Sequence, residues 1–140
     1  MKNFSASRED VISYHVGGRN YYEDAKKKLE ENKLLANERN ILISFTSDLP
    51  VYMAAADVVI CRAGAMTITE LARMGKAAII IPSVNVTDNH QFKNAKALAD
   101  EGAAILLEES QIASGISASS KLCELYSNVP LRLGRALGYR

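Results

Sequence analysis

Apolar residues recur along this chain in short bursts, separated by polar helical patterns and by glycine or proline. Residues 11–16, VISYHV, alternate bulky and β-branched side chains and run into Gly17-Gly18, which predicts a strand entering a tight loop. In YYEDAKKKLEENKLLANE, Tyr22, Ala25, Leu29 and Leu35 fall on one face of a helix while Lys and Glu occupy the other. NILISF over 40–45 predicts a second strand; Thr46-Ser47-Asp48 then forms a loop into a short helix over 50–56, with Pro50 in its first turn.

DVVIC over 57–61 is a continuous apolar run, the signature of a strand buried on both faces. A helix over 67–74 stops at Gly75, KAAIIIP over 76–82 predicts another buried strand ended by Pro82, and 83–88 is a polar loop. Residues 89–100 place Phe92, Ala95, Leu98 and Ala99 on one helical side, and AAILLEE over 103–109 predicts the last strand. Past Ser110 the pattern predicts a helix over 116–126, a break at Pro130 and a further turn or two over 131–137. Strands alternating with helices, the strands apolar on both faces, imply an α/β fold: a doubly wound parallel sheet joined by right-handed crossovers.

At 140 residues, 48% of them hydrophobic, the chain is long enough for one core, and a single domain is expected. Aromatics amount to 6% and the net charge is +1, so neither a stacking surface nor an electrostatic field points to nucleic acid. Charge is uneven: residues 46–110 hold five Lys or Arg against eight Asp or Glu, and residues 111–140 hold four against one. The basic end reads as a solvated tail, with peripheral contact to an acidic membrane surface as the alternative. Cys61 and Cys123 form no Cys-x-x-Cys pair, and no third ligand is spaced to make a metal site with His15 and His90. The sequence offers no signal peptide and no apolar run of membrane-spanning length, so a soluble cytosolic chain is expected.

Ligands of a parallel sheet gather at the carboxyl ends of its strands. Behind DVVIC comes RAGAMTITE, where Gly64 and Ala65 leave backbone amides approachable just as a helix begins at Met66 or Thr67. Such a helix start holds a phosphate without a lysine. Thr67-Ile68-Thr69-Glu70 also fits the Ser/Thr-x-x-Glu capping box, so Glu70 either folds back on its own helix or accepts hydrogen bonds from ribose hydroxyls. The pattern alone favours the cap. The loop SVNVTDNHQFKNA adds Asp88, Asn89, His90, Gln91 and Asn94, which either suit sugar hydroxyls or serve as a helix cap and solvated neighbours.

Taken together, DVVICRAGAMTITE followed by IPSVNVTDNHQFKNA, in this order and spacing, resembles the carboxyl-terminal half of the MurG family. Members of that family are bacterial transferases that move N-acetylglucosamine from UDP-N-acetylglucosamine to lipid I, giving lipid II for peptidoglycan and the cell wall. Upstream, YHVGGRNYYED is similar to the family's His-x-Ser/Thr-Gly-Lys segment, with Gly17 and Arg19 as departures, so the likeness spans about residues 10–110. The resemblance implies a Rossmann-like donor-binding domain of a GT-B glycosyltransferase over 1–110 and a helical tail over 111–140.

It further implies that the Thr46 backbone faces the uracil, that Ala65, Met66 and Thr67 face the diphosphate, that Glu70 meets the ribose and that Gln91 meets the sugar. On this footing ligand binding becomes the better reading of Glu70. Asn89, His90 and Asn94 are assigned only to support of their loop. The implied reaction is an inverting hexosyl transfer with no cofactor and no metal, at the cytoplasmic face of the plasma membrane. The family's amino-terminal acceptor domain and the first strand of its donor domain, with a Gly-Gly-Ser turn, have no counterpart here, and no catalytic base is assigned. The chain alone is therefore expected to be inactive. The alternatives are a non-catalytic UDP-sugar-binding module, or half of a split transferase acting with a separate acceptor-binding chain.

Overall fold

The computed structural model describes residues 11–36, 38–84 and 89–114, in two compact units that meet in sequence between Leu49 and Pro50. The helical expectations over 116–126 and 131–137, and Asp88 of the polar loop, lie outside the described residues.

In the first unit, β1 (Ser13–Val16) and β2 (Asn40–Ile43) pair in parallel, Ser13 opposite Asn40 and Val16 opposite Ile43, with α1 (Tyr22–Glu31) between them in sequence. A parallel pair needs such a crossover, because a two-residue turn can only join antiparallel strands. The loop after β1 turns at Gly18, whose φ of +74° is a left-handed conformation that suits glycine. Helix α1 is shorter than its apolar pattern suggests: it ends at Glu31, and Lys33 adopts φ of +56° before Leu34 is buried. The β1 segment reverses the usual alternation. Ile12, Tyr14 and Val16 are exposed, while Ser13 and His15 are half-buried.

The second unit holds the greater part of α2 (Leu49–Ala55), then β3 (Val58–Cys61), α3 (Ala65–Met74), β4 (Ala77–Ile80), α4 (His90–Asp100), β5 (Ala104–Leu106) and α5 (Glu109–Ala113). Its three strands are parallel in the order β3-β4-β5, so β4 is central, and all four of its residues are buried. Strand β3, whose apolar run predicted burial on both faces, is one edge of this sheet and half-buried along its length. Met53, Ala63, Leu71, Ala78, Ile80, Ala95 and Ala104 form one core, with Ile68, Met74 and Leu98 packed against it. The alanines let α3 and α4 approach the sheet closely, while the larger Leu71 and Ile80 fill the space between.

Two boundaries bear on the site. Strand β5 ends at Leu106 instead of 109, because Glu108-Glu109 open α5: the Glu108 N–H donates to Gln111 Oε1 at 2.8 Å, half of a capping box in which a glutamate stands at the cap. Helix α3 begins at Ala65, with Gly64 as the N-cap residue, and ends at Gly75, whose φ of +61° closes it in the left-handed cap. Among the described residues, no helix is long and apolar enough to cross a membrane.

Candidate functional site

The early start of α3 removes the capping-box reading of Glu70. Thr67 sits inside the helix, at its third position, and so cannot be the cap residue that a Thr67–Glu70 box requires. Thr69 Oγ1 instead donates back to the Ala65 carbonyl at 2.9 Å, and the side chain of Glu70 makes no hydrogen bond or ion pair among the described residues. The half-buried Glu70 carboxylate is left with open acceptor positions one turn into the helix.

The turn ahead of it is shaped by its backbone. Gly64 is extended, at φ −63° and ψ 142°, and its carbonyl accepts the first intrahelical bond, from the Ile68 N–H at 3.0 Å. The amides of Ala65, Met66 and Thr67 precede that bond and face outward as the orphan donors of any helix start. Neither conformation nor crowding demands a glycine at 64: a Cβ there would meet only Thr67 Oγ1, at 3.8 Å. What a side chain would obstruct is the approach from outside to these donors, which the helix dipole makes attractive to an anion. Met66 is 79% exposed, so the turn is open to solvent.

The turn is pinned from several directions. Cys61 O accepts the Ile81 N–H at 2.9 Å, and Asn94 Nδ2 of α4 donates to Ala63 O at 3.3 Å. Arg62 Nη1 donates to the carbonyls of Ile81 and Pro82, both at 3.3 Å, and to Glu109 Oε1 at the start of α5. Asn94 thus fastens the turn after β3, whereas its expected role was support of its own loop. Arg62 and Glu109 were given none: Arg62 stands in the quoted motif, and the clue to Glu109 was the Glu-x-x-Gln spacing from Glu108 to Gln111 that marks a helix start.

Gln91, in the first turn of α4, accepts the Ser83 N–H on Oε1 at 2.9 Å, which fastens the segment after β4 to the helix and leaves its amide N–H groups as donors. Asn89 caps this helix in the left-handed conformation, at φ 56°, and His90 is exposed and engaged in an interaction of its own. In the same unit burial raises the Cys61 thiol to about 11, so it stays protonated at neutral pH and acts as a small apolar side chain.

Thr46 belongs to the first unit. Its Oγ1 accepts the Asp48 N–H at 3.0 Å, so the hydroxyl is occupied in a local turn and the backbone is what it has to offer a ligand. Beside it Phe45 is exposed, with the Arg19 guanidinium 4.4 Å from the ring centroid. The structure therefore brings Ala65, Met66, Thr67, Glu70 and Gln91 into one unit and Thr46 into the other.

A helix start preceded by small residues, with a carboxylate one turn into the helix, is an arrangement that nucleotide-binding α/β proteins use. The family model for the glycosyltransferase family 28 C-terminal domain matches residues 3–130, and the chain belongs to that family. It is 40% identical over 105 residues to the UDP-N-acetylglucosamine--N-acetylmuramyl-(pentapeptide) pyrophosphoryl-undecaprenol N-acetylglucosamine transferase of Coxiella burnetii (strain Dugway 5J108-111), covering 75% of this chain and 28% of that protein. The enzyme of the same name from Burkholderia cenocepacia is 39% identical over 104 residues, again covering 28% of its length. The crystal structure of Acinetobacter baumannii MurG superposes with a TM-score of 0.67 at 31% identity, over 91% of this chain and 35% of that one. The chain thus spans little more than a quarter of the curated relatives it matches, and the Rossmann-like expectation holds for the fold.

Proposed function

We propose that this chain binds the UDP-N-acetylglucosamine donor of an inverting N-acetylglucosaminyltransferase that converts lipid I to lipid II in peptidoglycan synthesis. Residues 1–110 serve as the donor-binding domain. The observation that carries the reading is the start of α3, where unobstructed amides at Ala65–Thr67 precede a Glu70 carboxylate without a partner among the described residues. The names of the relatives, which specify a UDP-N-acetylglucosamine donor and a pyrophosphoryl-undecaprenol acceptor, support the same assignment.

In this reading the amides at the head of α3 hold the diphosphate and stabilise the charge it gains as the sugar departs. Glu70 accepts from the ribose hydroxyls, the Thr46 backbone faces the uracil, and Gln91 offers its N–H groups to the sugar. A membrane-bound acceptor places the work at the cytoplasmic face of the plasma membrane, with the acceptor held outside these residues.

Calorimetric titration with UDP-N-acetylglucosamine, UDP and UDP-glucose tests the proposal. Saturable binding that prefers the N-acetylglucosamine donor is expected. Replacing Glu70 by Ala should cost about 1.5–3 kcal/mol of that binding, the range for hydrogen bonds to a charged group. It should leave stability within about 0.5 kcal/mol, as for a surface change that breaks no contact. Undiminished affinity in E70A would remove Glu70 from the site, and a folded chain that binds none of the three ligands would remove the function.

A further inference from the structure

We infer that Glu109 is a positioning residue for the turn at the head of α3, acting through Arg62; the inference deepens the donor-site reading and rests on it. Gly64 is held by no special conformation and no crowding of its own, since its backbone is ordinary extended and a Cβ there would meet only Thr67 Oγ1 at 3.8 Å. Its freedom has to be curbed by its neighbours, because a glycine loses the most conformational entropy when fixed.

Two ties do this. On one side Asn94 holds the Ala63 carbonyl; on the other the Arg62 side chain spans the carboxyl ends of the two outer strands of its sheet, from the residue after β3 to the first turn of α5. Arg62 Nη1 also meets the carbonyls of Ile81 and Pro82 beyond β4, and Glu109 supplies the carboxylate that draws it there. With side-chain exposures of 57% for Arg62 and 34% for Glu109, the pair is partly exposed to solvent, and such pairs add little to global stability. Its consequence is local: it fixes where the Gly64–Thr67 amides point.

The test compares the wild-type chain with Glu109→Gln, Arg62→Lys and the double variant, by hydrogen exchange of the Ile68 and Ile81 amides, which donate to Gly64 O and Cys61 O on either side of Arg62, by thermal unfolding and by titration with UDP-N-acetylglucosamine. Each single variant should speed exchange at these two amides by about threefold or more, while shifting the unfolding midpoint by less than about 3 °C. Donor affinity should fall by about threefold or more, and the double variant should be no worse than either single change, as for two members of one interaction. Unchanged exchange at both amides in Glu109→Gln, or independent effects that simply add in the double variant, would overturn the inference. If the wild-type chain itself binds no donor, the donor-site reading fails, and the exchange pattern still decides whether Glu109 orders the turn.

Discussion

In the three-stranded sheet, β4 buries every side chain from Ala77 to Ile80, whereas the β1 segment of the two-stranded sheet turns Ile12, Tyr14 and Val16 outward and keeps Ser13 and His15 half-buried. The second unit has a contiguous core of Met53, Leu71, Ile80 and closely packed alanines. Among the described residues of the first unit, Leu34 is the one buried apolar side chain, and the buried polar one is Asn40, at 5% exposure. Neither the Nδ2 nor the Oδ1 atom of Asn40 has a hydrogen-bond partner, and the same holds for His15 Nε2. Asn40 lies against His15 without an aligned bond, and its contact only partly offsets the effect of burial on the imidazole. Similar parallel pairing is therefore stabilised very differently: by apolar burial in one sheet, and in the other against the cost of desolvating polar groups.

The largest way to sharpen this contrast is Ile80→Ala. Ile80 is fully buried, and a cavity in so tightly packed a core should cost about 2–5 kcal/mol, read as a fall in the urea midpoint. A loss below about 1 kcal/mol would mean that the second unit collapses around the gap and is less rigidly packed than its geometry indicates.

Acidification should act on the first unit. Burial lowers the His15 pKa from its ordinary 6.5, so the unfolded chain takes up a proton more readily than the folded one. The stability this group confers is complete above 6.5 and is lost as the pH falls from there through the lowered folded value. Amides of β1 and β2 should then lose protection between pH 7.5 and 5.5, once corrected for intrinsic exchange, and His15→Leu should abolish the dependence. A loss of the same size in β4 would break the comparison, because His15 lies outside that unit.

A smaller effect is expected at Asn40. Exchanging it for the similarly sized Leu removes two unpaired buried polar atoms, and should be neutral or stabilising by about 1 kcal/mol in a denaturant melt. Marked destabilisation would show that Asn40 is paired in solution. Least consequential for stability is Cys61, whose half-buried thiol is raised to about 11 from an ordinary 9.0. In a Cys123→Ser background its alkylation at pH 8 should be slower than that of a free thiol, with about a hundredfold less thiolate available. Alkylation at the rate of an exposed cysteine would mean that β3 opens readily.

The small residues behind DVVIC pointed to a phosphate turn because that property is local: missing side chains leave amides approachable whatever the tertiary fold. The capping-box reading of Thr67 and Glu70 failed for an equally physical reason. A helix starts where its first carbonyl finds an amide, and Gly64 provides that carbonyl ahead of Thr67. Glu109 was hidden differently, since AAILLEE is apolar enough to read as strand to its end, and the turn into α5 depends on Gln111 reaching back to Glu108.

The sequence by itself determined the order of strands and helices, the burial of KAAIIIP and the family motif, because hydrophobic spacing and short-range turn chemistry are written residue by residue. Only the tertiary structure decided which strand lies at the centre of its sheet, which face of β1 meets solvent, that Glu70 has no partner among the described residues, and that Arg62 reaches a carboxylate 47 residues away. Such pairings depend on how elements stack across a sheet, and the spacing along a single element carries no record of that.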